Sequence, residues 1–464
     1  MTTETETPLQ TAGAVDIQEL TLVSKNMEFL QIKDYLAELN ITEDLYSPTM
    51  YGNLVLVDSR NLIKELDITG EEYLIVKFKT PTSESFISKT FRIYAITDRK
   101  IVRDLNTQTY VLQFVSKEFI INQVKPIYKT FSGKISEVVK TLFEYIEADR
   151  TYIVNDKQID NEGIKSELNV VTETENVVKF VSPGWTPFKC ITWCASKSIP
   201  KDGKACNFFF FETNKTFVFT SIENLFDINN KGQSLTIGEY FYKQNQVKGN
   251  EGPENKMFQV EDFKVLKTAD HLENLNSGYL SNKLITLDVI NKIYSSFDYD
   301  AVTEFETFEH SQGSDSSPLF AKDSIRNPST DISFYPVQPN LFNNVDNNIN
   351  ERMNEIHGNR RSNMLELQNF KIHMTVPGRT DIEVGRMLDF NFPDVSPKAQ
   401  EDKSDKGDAF YSGTYLITAI HHKVTLNRHT MIMEIVKDAL KRDEWKKYLI
   451  KMDLFGLSGW LKIE

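Results

Sequence analysis

The chain repeats itself, and a repeat limits architecture strongly, because each copy must bury its own apolar face and then meet its twin. The segment LYSPTMYGNLVLVDSRNLI, beginning at Leu45, aligns without gaps with LNSGYLSNKLITLDVINKI, beginning at Leu275. Leu45, Ser47, Leu54, Asp58, Asn61 and Ile63 fall on Leu275, Ser277, Leu284, Asp288, Asn291 and Ile293. The likeness continues in order. Thr69-Gly70 precedes a strand pattern in the first half as Pro377-Gly378 does in the second. Ile93, Ala95 and Ile96 match Ile417, Ala419 and Ile420; Leu112, Val115, Lys117 and Glu118 match Ile432, Ile435, Lys437 and Asp438. Alternating patterns recur by chance in any two hairpins, but blocks in one order with a repeated Asp and Asn point to duplication. Two similar modules per chain would let a closed trimer present a pseudo-sixfold surface on a threefold body.

At 464 residues the chain exceeds what one core usually serves. Residues 1–14, MTTETETPLQTAGA, read as a disordered arm, with neither the basic nor the apolar region of a signal peptide. Residues 15–124 form the first module. After a helical-looking Ile32–Leu39, the stretches Asn53–Val57, Tyr73–Phe78, Phe86–Thr97 and Tyr110–Val115 are short and β-branched or aromatic, as in a small barrel or sandwich. Residues 125–257 read as a separate α+β domain. There Ser132 is placed to cap a helix whose apolar face is Ile135, Val138, Val139, Leu142, Phe143 and Ile146. Thr186-Pro187 opens a second helix, and Phe208–Phe211 and Phe217–Thr220 flank Thr213-Asn214-Lys215 as a hairpin. The second module takes residues 258–295 and 365–440, with strands at Phe370–Val376, Ile382–Phe392, Tyr415–Val424 and His429–Val436. Between its two parts lies an insertion, residues 296–364, rich in Ser, Asn, Asp and Pro and leading into a helix at Asn350–Phe370. The fold class is therefore β-rich α+β: two similar barrel-like modules, an α+β domain and an inserted loop and helix region.

Charge and motifs remove several functions. With 53 basic against 66 acidic residues the net charge is −13, so the basic footprint of a specific nucleic-acid binder is missing. The charge serves solubility, or lines an inner wall past which a polyanion slides. No apolar run approaches the roughly 20 residues of a membrane span, so stable membrane insertion is not expected. Cys190, Cys194 and Cys206 are too few and too odd in number for a disulfide framework, and read as buried thiols of a protein folded in a reducing cytoplasm. His421 and His422 are adjacent in a strand and face opposite sides, and His429 lies across a hairpin; they read as exposed strand histidines, not as metal ligands. Glu304, Glu306 and Glu309 read as an acidic loop. Walker, dinucleotide, nucleophile-elbow and zincin motifs are missing, so no catalytic residue, cofactor or metal is assigned. Residues 441–464 carry Trp445, Tyr448, Leu449, Leu454, Phe455, Leu457 and Trp460, an apolar set that either folds back on its own module or docks on a partner.

The order of these segments resembles the central hub protein of contractile phage tail baseplates, and is similar to the hub portion of secretion-system spike proteins. The resemblance rests on ITEDLYSPTMYGNLVLVDSRNLI, on SPGWTPFKCITWCASKS with FFFFETNKTFVFTSIENLF, and on VPGRTDIEVGRMLDF with SGTYLITAIHHKVTLNRHTMIMEIVKDAL. It covers most of residues 15–440. It implies two tube-type β-barrel domains per chain and a homotrimer whose pseudo-sixfold torus joins a sixfold tail tube to a threefold central spike around a lumen for the genome. The partners it implies are the spike protein, tail tube or tube-initiator proteins, baseplate wedge proteins and a tape-measure C-terminus. It places the chain in the virion, at the tail baseplate, after assembly in the host cytoplasm. The competing readings are a tail-tip cell-wall hydrolase and a host-surface binding protein.

Overall fold

The computed structural model describes residues 11–81, 83–102, 107–147, 167–227, 236–242, 256–268, 270–313, 316–319, 327–337, 350–393, 408 and 410–441. The first module consists of β1 (Asp16–Val23), β2 (Phe29–Gln31), β3 (Leu36–Asp44), β4 (Tyr51–Asp58), β5 (Tyr73–Lys79), β6 (Phe86–Val102) and β7 (Thr107–Ser116). In β4 and β7 alternate residues turn inward, and Leu54, Leu56, Tyr110, Leu112 and Phe114 enter one core. The helix expected over Ile32–Leu39 is instead a single 3-10 turn, Lys33–Tyr35, running straight into β3. The apolar spacing there is helical, but Ile32 N–H bonds to Leu20 O and Leu39 pairs with Leu54, so sheet contacts override the local pattern.

The α+β unit holds β8 (Thr130–Lys134), β9 (Leu168–Val170), β10 (Val177–Val181), β11 (Phe208–Glu212) and β12 (Phe217–Ser221). The expected hairpin forms, with Phe210 opposite Phe219. The expected helix runs Ile135–Glu147 and buries all the apolar residues assigned to its inner face. Ser132 is not its cap. It sits inside β8 opposite Lys179, and the helix begins directly from that strand. A second helix, Pro187–Ala195, starts after Thr186 with Pro at its first turn and buries Cys190 and Cys194 in the same core.

Beyond it follow β13 (Thr236–Phe241), β14 (Asp262–Thr268), β15 (Ser281–Asp288), β16 (Ile293–Asp300), β17 (Ser316–Pro318) and β18 (Ile332–Pro336). The chain closes with β19 (Phe370–Pro377), β20 (Met387–Asn391), β21 (Gly413–Val424), β22 (His429–Val436) and β23 (Ala439–Lys441). The helix before β19 is Met353–Glu366, shorter at both ends than the composition suggests, and β20 takes only part of Ile382–Phe392. The fold is mostly antiparallel sheet with interspersed helices. Among the described residues no helix is long and apolar enough to cross a membrane.

One 13-stranded sheet joins both modules in the order β14-β19-β22-β21-β3-β4-β7-β6-β5-β1-β2, with β20 on β21 and β13 on β20. The repeat is visible in its pairing. The run β3-β4-β7-β6-β5 of the first module recurs as β14-β19-β22-β21-β20 in the second. Ile93, Ala95 and Ile96 face Phe114, Gln113 and Leu112, with a bulge at Tyr94; Ile417, Ala419 and Ile420 face Ile435, Glu434 and Met433, with the same bulge at Thr418. One edge bond repeats too: Ile93 N–H donates to Glu72 O and Ile417 N–H to Arg386 O, both at 2.9 Å.

This pairing corrects two sequence equivalences. The partner of β4 is β19, since each pairs with the second strand of its hairpin; β15 lies instead in a separate three-stranded sheet with β16 and β18. The match of Asp58 and Asn61 with Asp288 and Asn291 is local turn chemistry. Each Asp ends a strand and accepts backbone N–H bonds from the residues two and three positions further on, Arg60 and Asn61 or Ile290 and Asn291. The second correction is a frame. Leu112 corresponds to Met433 and not to Ile432, because both are fully buried while Ile432 faces out.

Candidate functional site

The two modules meet at β21. Its first residues, Gly413–Leu416, pair with β20, and Ala419–Val424 pair antiparallel with β3 of the first module. Leu45 N–H extends the joint by bonding to Thr418 O at 2.8 Å. On one face of the joint Thr42 Oγ1 lies 3.0 Å from His421 Nδ1, and Lys423 pairs with Glu38 at 2.7 Å. On the other face Glu43, His422 and His429 form a fully buried row. His422 Nε2 stands 3.6 Å from Glu43 Oε1, and His422 Nδ1 is 3.0 Å from His429 Nε2, so one ring of that pair must donate to the other. Burial, with the neighbouring His422, holds the His429 imidazole well below its usual pKa.

These histidines correct the exposed-strand expectation. His421 and His422 do face opposite sides, but β3 continues the sheet beyond β21, and on its inner face His422 and its neighbour His429, with Phe78 edge-on at 5.4 Å, lose all contact with solvent. Residues 11–14 of the arm read as disordered also reach this joint. Gly13 O accepts from His429 N–H at 2.8 Å, and Gly378 N–H donates to His429 O at 2.8 Å. Thr380 links the modules again, donating its hydroxyl to Ser85 O at 2.7 Å and accepting from Thr80 N–H at 3.2 Å.

A second buried group fixes the α+β unit to the first module. Glu212, at the end of β11, accepts from Lys89 Nζ at 2.8 Å, from Met50 N–H at 2.9 Å and from the Ser116 hydroxyl. Burial works against the Lys89 ammonium, but the Glu212 carboxylate outweighs it and raises the Lys89 pKa. A third group joins the inserted region to the second module. His310 Nδ1 lies 2.7 Å from Asp438 Oδ2 and His310 Nε2 lies 2.8 Å from Phe305 O, while Tyr279 donates to Glu366 at 3.0 Å. Burial disfavours the His310 imidazolium, yet Asp438 prevails and its pKa rises to about 9; burial also pushes Glu366 up to about 8. His310, Glu366 and Asp438 come within mutual reach of a metal ion. Both ring nitrogens of His310 are nevertheless engaged by protein oxygens, so the group is an ion-paired structural cluster.

Sequence reasoning missed Glu43, Glu212 and His310, because nothing in the chain around a single Glu or His signals a partner more than 100 residues away. The three cysteines are buried, as expected. Trp445, Tyr448, Leu449, Leu454, Phe455, Leu457 and Trp460 lie outside the described residues, which end where β23 pairs with β17.

Two β-rich modules in one chain, joined edge to edge through one sheet and carrying an α+β unit on the side, give this protein the fold of phage tail proteins. The tail protein from Neisseria meningitidis MC58 superimposes with a TM-score of 0.50 at 9% sequence identity, over 93% of this chain and 98% of that one. The 43 kDa tail protein of prophage MuSo2 from Shewanella oneidensis does so with a TM-score of 0.51 at 10% identity, over 90% of this chain and 98% of its own. At such identities the likeness is one of fold. No protein-family model matches the sequence, and no curated protein matches it.

Proposed function

We propose that this chain is a structural component of a phage tail baseplate, a homotrimeric hub that adapts a sixfold tail tube to a threefold central spike around a lumen for the genome. The observation that carries the reading is the β21–β3 joint. Two modules of the same strand order already sit side by side in one continuous sheet, as neighbours in a ring would, so three chains supply six such places. The tail-protein fold along nearly the whole chain supports the same setting. Spike, tube, wedge and tape-measure proteins are the partners this role calls for, and the apolar residues from Trp445 to Trp460 are assigned to a partner contact. No catalytic step is proposed.

End views of the purified protein by electron microscopy test the role. Six similar lobes with threefold symmetry are expected, and a compact single-copy particle at all concentrations refutes it. Deleting residues 442–464 tests the C-terminal assignment. Loss of spike or tube binding by an intact trimer supports it, and an unfolded chain refutes it.

A further inference from the structure

The buried cluster that ties the inserted region to the second module draws on three distant stretches of chain. His310 lies near the start of the insertion, Glu366 ends the helix Met353–Glu366, and Asp438 follows β22. The three residues are 3–6% exposed, and one ligand atom of each lies within 4.8 Å of the other two. Each side chain is also held from behind. His310 Nε2 faces Phe305 O at 2.8 Å, Ser311 N–H donates to Asp438 Oδ1 at 3.0 Å, and the Tyr279 hydroxyl donates to Glu366 Oε1 at 3.0 Å. His310 Nδ1 and Asp438 Oδ2 are left facing each other at 2.7 Å, and among the described residues the second oxygen of Glu366 has no hydrogen bond. An imidazole tied at its far nitrogen to a backbone carbonyl, beside carboxylates fixed by their own donors, is the outer arrangement that metal sites use. All three residues line a cavity with room for about one water molecule.

We propose that His310, Glu366 and Asp438 bind one transition-metal dication of the zinc type, which takes the place of the proton between His310 and Asp438 and clips the inserted region to the second module. Without the ion, both ring nitrogens of His310 face oxygens that only accept, so the ring is an imidazolium and its Nδ1 proton bridges to Asp438. On binding, that proton leaves to solvent. The Nδ1 lone pair and one oxygen each of Asp438 and Glu366 then hold the ion, and a water in the cavity fills the fourth position. With both carboxylates ionised, two negative charges balance the two positive charges of the ion. A tetrahedral ion with bonds of about 2.0–2.1 Å keeps its ligand atoms about 3.3 Å apart, so His310 and Asp438 part slightly and Glu366 closes in.

The donor set selects the ion. An imidazole nitrogen beside two carboxylates favours zinc, cobalt or nickel over calcium and magnesium, which take oxygen ligands. Bound there, the ion joins both ends of the insertion to the segment leading into β23, and so supports the pairing of β23 with β17. Cation binding is independent of the assembly role, which stands or falls on the end views.

Zinc titration of the full chain, stripped with EDTA and exchanged into chelator-free buffer, tests the site. One ion per chain is expected, with at least one proton released per ion and a raised melting temperature. His310→Gln and Asp438→Asn should each weaken binding by more than about 100-fold, and Tyr279→Phe, which removes only the bond orienting Glu366, by about 10-fold. His373→Gln, on the solvent side of the sheet beside Glu434, should bind as the parent does. Unchanged binding in the His310 and Asp438 variants, or equal weakening in the His373 variant, would mean an adventitious ion only and overturns the proposal. If the ligand variants fail to fold, the parent still decides. X-ray absorption of its bound zinc should show nitrogen and oxygen neighbours at about 2.0–2.2 Å and no sulfur at about 2.3 Å. A sulfur neighbour, or no ion retained after desalting, overturns the proposal.

Discussion

Replacing Lys89 by Met isolates what the Glu212 junction contributes to holding the α+β unit on the first module. The pair lies 2.8 Å apart, with the Glu212 side chain 1% and the Lys89 side chain 10% exposed, so water cannot substitute for either partner. Removing the ammonium leaves a buried carboxylate supported, among the described residues, by Met50 N–H and the Ser116 hydroxyl. A stranded buried charge of this kind costs about 3 kcal/mol. Glu212→Leu should cost more, about 5 kcal/mol, because it strands the Lys89 charge and leaves the Met50 N–H without its acceptor, each unmet donor adding about 1–3 kcal/mol. In the double variant neither charge is stranded, so its loss should be about 2 kcal/mol, less than either single change and far from their sum. Urea unfolding followed in parallel by far-ultraviolet circular dichroism and by fluorescence of Trp185 and Trp193, which pack against the α+β core, measures each loss. A Lys89→Met protein within about 0.5 kcal/mol of the parent would refute the reasoning, since the carboxylate would then have to be solvated.

Two further outcomes follow from the buried groups. His429 has a folded pKa below its unfolded value, so the unfolded chain takes up the proton first, and stability should fall as pH drops below about 6.5 by up to about 1.4 kcal/mol per unit. The opposite sign holds for His310, raised to about 9: its contribution is complete below about 6.5 and is lost as pH rises through about 9. Relative to the parent, the acid-side loss of melting temperature should therefore be smaller in His429→Gln and the alkaline-side loss smaller in His310→Gln, and unchanged pH dependences would contradict the assignment. Gly52→Ala should destabilise the first module by about 3 kcal/mol, since its Cβ would fall 2.0 Å from Asn40 O and force β3 and β4 apart. An unaltered melting temperature would show that the strands have room there.

The sequence was most informative where the physics is local. The apolar face from Ile135 to Ile146 sets a helix wherever it is placed, and Phe208–Phe211 with Phe217–Thr220 sets a hairpin through the residues between them. The match of Asp58 with Asp288 misled for the same reason. A carboxylate that caps the end of a strand needs only its next few residues, so the same letters recur in strands with unrelated neighbours. The match of VLQFVSKE with MIMEIVKD went astray by one residue, because alternation alone allows either frame when both faces carry apolar groups.

What the amino-acid order determined by itself, then, was a β-rich chain with a duplicated core, a helical and aromatic unit between the copies, and an acidic surface without a catalytic motif. Tertiary structure alone decided that β19 and not β15 is the twin of β4, that His422 and His429 are buried where β21 meets β3, and that one sheet runs through both modules. The physical reason is distance along the chain. Strand pairing and the burial of a lone charged group depend on partners hundreds of residues away, and no local preference encodes which partner arrives.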